Sequence, residues 1–476
     1  MPRFGWAAAV AALVLAAAMA GAQNGSDAAA TRAGSRPALR KLTMESAIST
    51  AITNSRTLKI AIEGIKRQRG VYNEGKALAL PTLSTDLAWT HLDEGSSASF
   101  STGSNGEKTT IALAKQDQKT VTVSAALALD IMGLIKTAVQ ASEFQEIQAR
   151  LEFNRARNQL VSDVQGAYYD VLRAQAFVAV VEQALKNASE RQGTAEAYLK
   201  AGTGTRFDVL RAQTEVANAR QNLISATNRV NLAMAALNNA LGLDQNTPLS
   251  VEPPAAAASA SAPSFDAAVT EAYSRRPEVM QAEAGLQAAL KGIKLADRSS
   301  LPAMGIAWNF QYTPDAGGFS PKTTAWVAVA KVTVPLYDAG VAGARRQQAA
   351  ATAETARSAK LQVLDGIALD VRQAFLGAAE ASERLSVTSS ALEQAEEQYR
   401  LAQVRFQNGV TLTPGASPLL EISDAQTALT QAQTNHVNAR YDVEAARAKL
   451  ERAVGRFAYD TSPGPGMPAP RIGGGK

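Results

Sequence analysis

The feature that most restricts this chain's fold is a pair of interleaved sevenfold repeats. In the run FDVLRAQTEVANARQNLISATNRVNLAMAALNNAL (residues 207–241), every seventh residue from Val209 is aliphatic: Val209, Val216, Leu223, Val230 and Leu237. Every seventh residue from Ala212 is alanine: Ala212, Ala219, Ala226, Ala233 and Ala240. Both rows return downstream, as Ile422, Leu429, His436, Val443 and Leu450, and as Ala425, Ala432, Ala439, Ala446 and Ala453. Each run closes on a glycine, Gly242 and Gly455. Apolar residues at a 3.5-residue period predict a left-handed coiled coil, because the helix must underwind to keep its seam on a partner. A row of alanines lets that partner approach closely.

The preceding helices obey the same rule. Val164, Val171, Val178 and Leu185 alternate with Ala167, Ala174, Val181, Ala188 and Ala195; in the second copy Val371, Ala378, Leu385 and Leu392 alternate with Ala374, Ala381, Thr388, Ala395 and Ala402. The chain is therefore an internal duplication. Its rods pair as antiparallel hairpins that reverse at KAGTGT (200–205) and QNGVTLTPGASP (407–418). The first unit is expected over 42–243, with helices at 44–78, 136–200 and 206–241 and strands at 82–91 and 120–130. The second is expected over 265–456, with helices at 265–298, 341–408 and 419–455 and strands at 303–313 and 324–335. In each unit two helices of about 35 residues match one of about 65, near 100 Å long at ~1.5 Å per residue.

The four strands each have an apolar and a polar face. Leu83, Leu87 and Trp89 share one side of the first, and Val121, Val123, Leu127 and Leu129 one side of the second. Met304, Ile306, Trp308, Phe310 and Tyr312 oppose Gly305, Asn309 and Gln311 in the third. In the fourth, Trp326, Val332 and Val334 are placed outward and Lys331 and Thr333 inward, with Val327 and Val329 on the inward side as exceptions. Strands of about 10 residues with this alternation suit a bilayer-spanning barrel, and alternation alone also fits a soluble sheet packed on one face. Trp89, Trp308 and Trp326 are placed as an interfacial aromatic belt. Four strands cannot close a barrel, and open edges are not left in lipid, so several protomers must share one.

Residues 1–22 read as a secretory signal, with a basic start at Arg3, an apolar run and small residues at the cleavage site; a membrane anchor is the alternative. Residues 23–41 are expected to be flexible, 244–264 are an Ala/Pro-rich linker whose EPPAAAASASAPS stretch (252–264) is a flexible or loosely packed crossover, and 457–476 are expected to be disordered. The stretch DEGSSASFSTGSNGEKTT (93–110) reads as a long polar loop. The chain contains no cysteine, which excludes disulfides and attachment of lipid through one. Net charge is only +5, with basic and acidic residues mixed, so no nucleic-acid partner is expected. No nucleophile–base pair, phosphate loop or metal-ligand spacing is present, so no enzymatic activity, cofactor or metal is expected. His91 and His436 lie in a strand and a coiled-coil row and do not make a joint metal site.

The signal, the two helix–strand–strand–helix copies and the G…FDVLRAQ…A…L..A…LG run together resemble the TolC family of outer-membrane efflux channels, over roughly residues 42–456. The resemblance implies a mainly α fold with β structure: a homotrimer whose twelve-strand barrel sits in the outer membrane and whose twelve-helix coiled-coil tube extends into the periplasm. It implies partners as well, namely outer-membrane lipid, a periplasmic adaptor (membrane fusion protein) and an inner-membrane pump. The function implied is a passive exit duct, with the cargo set by the pump. Channels for type I protein secretion share the architecture, and a soluble periplasmic coiled-coil adaptor is a rival, although an adaptor needs one hairpin rather than two.

The resemblance also carries residue roles. Acidic side chains at the tip of the second half form the family's constriction, and by motif these fall on Glu421 and Asp424, with Asp208 and Arg211 as first-half equivalents. Residues three apart share a helix face, so three copies could ring a lumen with six carboxylates. The same acids would equally suit ordinary helix N-terminal chemistry. Ala201, Gly202 and Thr203, with Asn408, Gly409 and Val410, occupy the hairpin tips that contact the adaptor in the family; glycine there also serves the turn alone. Between Gly409 and the EISDAQ run the second tip carries about six residues more than the first, a departure from the family pattern.

Overall fold

A computed structural model describes residues 40–101, 108–253, 264–316, 322–408 and 418–456. The proposed signal, residues 23–39 of the expected flexible N-terminal segment, residues 254–263 of the linker, the C-terminal tail, Gly409 and Val410 lie outside the described residues. In chain order the elements are β1 (Arg40–Leu42), α1 (Met44–Asn54), α2 (Arg56–Ala77), β2 (Thr82–His91), β3 (Ser97–Ser101), β4 (Lys108–Ala112), β5 (Asp117–Leu129), α3 (Leu134–Lys200) and α4 (Arg206–Ala240). There follow β6 (Leu249–Val251), α5 (Phe265–Arg275), α6 (Pro277–Arg298), β7 (Ala303–Tyr312), β8 (Thr324–Thr333), α7 (Val341–Gln407) and α8 (Pro418–Val454). No described helix is long and apolar enough to cross a membrane.

The two rods, α3 and α7, have 67 residues each, about 100 Å at ~1.5 Å per residue. Three shorter helices lie along each: α1, α2 and α4 on α3, and α5, α6 and α8 on α7. The alanine rows are the contact. Ala174, Ala188, Ala195, Ala212 and Ala226 are buried in the first copy, and Ala381, Ala395, Ala402, Ala425, Ala432 and Ala439 in the second. Contacts of α3 with α6 and α8 join the copies.

The structure divides both N-terminal helices that the sequence reading treats as continuous. Ser55 leaves helical geometry at φ −56°, ψ 123°, and its side chain accepts from the Leu58 amide to cap α2. Arg276 does so at φ −73°, ψ 128°, because Pro277 opens α6 at the first helical position. Proline disfavours helical geometry in the residue before it and needs no donor at that position.

The expected polar loop contains a hairpin, with Ser97–Ser101 paired to Lys108–Ala112 and the Ser99 and Thr110 hydroxyls 3.0 Å apart. The end of the N-terminal segment expected to be flexible and the start of the linker meet as a two-stranded sheet, β1 with β6. Leu42, Leu249 and Val251 from these strands are buried against Val164, Tyr168 and Val171 of α3. Three-residue strands are too short to show a period, so only the tertiary core reveals them.

Tyr168 ties this sheet to the rod. Its hydroxyl donates to the Leu42 carbonyl at 2.9 Å and the Glu252 carbonyl at 2.5 Å. Burial, reinforced by the Glu252 carboxylate, raises the phenol's pKa and keeps the donor proton in place. Tyr168→Phe is expected to cost about 1 kcal/mol, and to raise amide hydrogen exchange in residues 40–42 and 249–251 while leaving the distal part of α3 unchanged.

Candidate functional site

The four main strands are antiparallel in the order β2-β5-β7-β8. Their register puts Leu87 opposite Val121, Val121 opposite Tyr312, Val123 opposite Phe310, and Phe310 opposite Trp326. Facing residues lie on one side of a sheet, so the apolar rows merge into a single surface. Leu83, Leu87, Trp89 and Trp326 on that surface are 69–76% exposed. The other surface carries Asp86 opposite Thr122, Thr122 opposite Gln311, Ser124 opposite Asn309, and Lys331 opposite Gly305. Val327 and Val329 fall on this polar side, opposite Asn309 and Ala307. Trp308 shares the apolar surface and stacks on Phe310 at 6.3 Å between centroids. At the end of that surface Trp89 Nε1 donates to Asp117, which also meets His91. Among the described residues the outermost strands, β2 and β8, each have only one sheet neighbour.

Each rod leaves the sheet through the same device. Asp130 accepts from the Ile135 and Lys136 amides after Gly133 at φ 71°. Asp338 accepts from the Gly340 and Ala342 amides beside Gly340 at φ 88°. Those two amide bonds hold the Asp338 carboxyl below its usual pKa, favouring the anion that caps the helix. Gly133 is also pinned from outside, since Arg298 donates to its carbonyl at 2.6 Å and a Cβ there would lie 2.7 Å from that guanidinium.

At the far end of the rods, α3 stops at Ala201. Gly202 takes φ 77°, and the Thr203 and Gly204 amides both donate to the Tyr198 carbonyl at 3.0 Å. Ala201, Gly202 and Thr203 are exposed, as is Asn408, whose side-chain amide donates to the Val404 carbonyl. Gly204 was not among the expected tip residues, yet a Cβ there would lie 2.9 Å from Tyr198 Cβ.

The four expected constriction residues divide by environment. Glu421 lies half-buried in the first turn of α8, and Asp424 is exposed one turn on. By helical spacing Asp424 shares its face with Thr427, Gln431 and Thr434. Those three line a groove of about 540 Å³ walled by α3, α4 and α8. Asp208 works within its own helix, accepting from the Thr205 hydroxyl at 2.7 Å in a capping box. Arg211 meets Glu215 at 3.5 Å, also within α4.

Glu215 was not anticipated. It receives Arg191 from α3 at 3.5 Å and the Ser423 hydroxyl from α8 at 2.7 Å. The T-x-x-D spacing of Thr205 and Asp208 could have revealed the cap, but nothing local marks Glu215, whose partner in α8 is 208 residues away. Asp208→Ala is expected to cost about 0.5–1 kcal/mol through loss of the capping box, fraying residues 205–209 in hydrogen exchange, whereas Asp208→Glu retains protection.

The sequence matches the family model described as outer membrane efflux protein over residues 47–243 and 268–456. It is 25% identical over 436 residues to the probable efflux pump outer membrane protein TtgC of Pseudomonas putida KT2440, covering 88% of this chain and 84% of the relative. A crystal structure of CusC superposes with TM-score 0.72 at 19% identity, covering 90% of this chain and 95% of that one. The outer membrane protein VceC of Vibrio cholerae gives TM-score 0.70 at 19% identity over 87% of this chain and 96% of its own.

Proposed function

The chain belongs to the outer membrane efflux protein family, and from that premise we propose that three copies close one barrel and one helical tube to form the exit duct of a tripartite exporter. The observation that carries this reading is the open-edged sheet with one apolar and one polar face. Strand directions alternate from β2 to β8, so β8 of one copy and β2 of the next meet antiparallel and the alternation runs unbroken around a barrel. The apolar surface then faces lipid, with Trp89, Trp308 and Trp326 as its aromatic anchors, and the polar surface faces water.

The rods support the same closure. On α4, Leu210 and Ile224 are 51% and 72% exposed; on α7, Val404 and Val387 are 42% and 68% exposed. Since α4 leaves the tip as α7 approaches it, Leu210 stands near the height of Val404, and Ile224 near that of Val387. We place these pairs against one another across the subunit boundary. The chain contains no cysteine, so paired cysteines report only the contact being tested. Leu210→Cys with Val404→Cys is expected to give trimer-sized oxidised bands, and either variant alone none; bands from Ile224→Cys with Val404→Cys instead would sink this register.

Glu421 and Asp424 fit a carboxylate ring at the tip, because Asp424 faces open space and both lie at the entry of α8. Asp208 fits less well, since its carboxylate is occupied by the cap. In planar bilayers Glu421→Gln with Asp424→Asn is expected to raise conductance and lower cation preference, read as a smaller reversal potential in a KCl gradient. Unchanged conductance and reversal potential would remove these residues from the gate.

The exposed tip at Ala201–Thr203, with Asn408, is the surface we assign to a periplasmic adaptor, itself joined to an inner-membrane pump. TtgC is named for an efflux pump and CusC for a cation efflux system. These names favour a small solute or ion over a polypeptide as cargo.

A further inference from the structure

In each copy a hairpin helix ends where a short helix begins. In the first, α4 stops before Gly242 and α2 starts after Ser55; in the second, α8 stops before Gly455 and α6 starts at Pro277. Both glycines press on the break between the short helices. A Cβ on Gly242 would lie 3.1 Å from Asn54 Cβ, and one on Gly455 3.0 Å from Arg275 Cβ. The first junction is filled with apolar side chains. Leu58, Leu237 and Leu241 are no more than 2% exposed, and Leu58 packs with Ile65 and Phe153.

The second junction is polar and hollow. Recesses of about 320 and 420 Å³ flank it, and Asn158 of α3 and Pro277 of α6 line both. Leu151, Asn154, Arg157 and Arg275 belong to the larger recess, and Glu152, Gln159, Asp163 and Arg452 to the smaller. Helical spacing assigns them to opposite faces of α3. Leu151, Asn154 and Asn158 continue to Val161 and Tyr168, which pack on the β1–β6 sheet. Glu152, Gln159 and Asp163 continue to Asp170 and Phe177, and Phe177 also lines the groove that holds Thr427 and Gln431. The recesses thus approach one another from the two sides of the helical layer. Asn158 stands between them at 9% exposure, and its amide has no hydrogen-bond partner among the described residues. A buried amide is nearly always paired, with water where protein offers nothing, and polar recesses of this size admit water.

We propose that this junction is a side port, a hydrated path through the wall of the duct that passes water and small anions such as chloride, with Asn158 at its narrowest point. The preference for anions comes from the outer recess, whose lining includes Arg157 and Arg275 and no carboxylate. The inner recess is balanced, with three arginines and three carboxylates. That the path joins lumen to periplasm rests on the trimeric duct proposed above; that the recesses meet at Asn158 does not.

Asn158→Leu keeps the side chain's size and removes its hold on water. A side path conducts in parallel with the tip, so its current adds to that of the tip. In planar bilayers the substitution is expected to remove the same absolute conductance from the otherwise unaltered chain and from Glu421→Gln with Asp424→Asn. In a KCl gradient it is expected to raise cation preference in both. A loss that grows with the conductance of the tip would place Asn158 in series with it and overturn the proposal, as would unchanged conductance and reversal potential. The chain contains no cysteine, so Asn158→Cys supplies a single thiol. In the native full chain it is expected to react with a small anionic methanethiosulfonate; a thiol protected until the protein unfolds would also sink the port. A reactive thiol in a protein that conducts no ions would instead reject the duct and leave the hydrated path standing.

Discussion

The rest of the architecture depends on the unpaired edges of one sheet. Among the described residues β2 and β8 each leave a row of backbone amides and carbonyls without a strand partner, and in hydrocarbon each such group costs several kcal/mol. The apolar surface that includes Trp89, Leu87 and Trp326 commits the sheet to lipid, so the edges must pair with something that enters lipid with them. In the proposed trimer a second copy would supply the complementary edge in the right direction. The helical duplication extends that logic, because in the proposed trimer rods rooted in a shared barrel would stand side by side with their exposed apolar positions at matching heights.

The junction between sheet and rods converts one packing problem into the other. Asp130 and Asp338 cap the helices that follow, and beside them Gly133 and Gly340 take left-handed backbone between strand and rod. Arg298 fastens the first of these junctions to the neighbouring helix. The direction in which α3 and α7 leave the sheet is thus held by backbone hydrogen bonds rather than by the long coiled-coil seams. The seams then govern only how each rod packs along its own partners.

Toward the tip the balance of forces changes. Within a hairpin, alanine and aliphatic rows exclude water and need no partner beyond the hairpin. Between hairpins, Asn187, Gln426, Ser423, Glu215 and Arg191 make polar contacts, and the Tyr198 and Phe406 rings meet at 6.0 Å between centroids.

Periodicity made much of this readable. The sevenfold rows named the helix faces that pack, and the alternation of Trp308, Phe310 and Tyr312 against Asn309 and Gln311 named the two faces of a strand, including the misplaced Val327 and Val329. These signals are legible because a local repeat decides which side chains share a surface. Pro277 marked one helix break that could have been seen, while Ser55 gave only a weak cap signal for the other. The β1–β6 pair and the β3–β4 hairpin were missed because short strands are specified by what they pair with.

By itself, then, the sequence determined the duplication, the helix seams and the two-faced strands, all of which follow from spacing along a single segment. Only the tertiary structure decided that Tyr168 holds two distant strand ends and that Glu215 joins Arg191 to Ser423. Such meetings depend on the rotation and axial register of separate helices, and no local repeat encodes either.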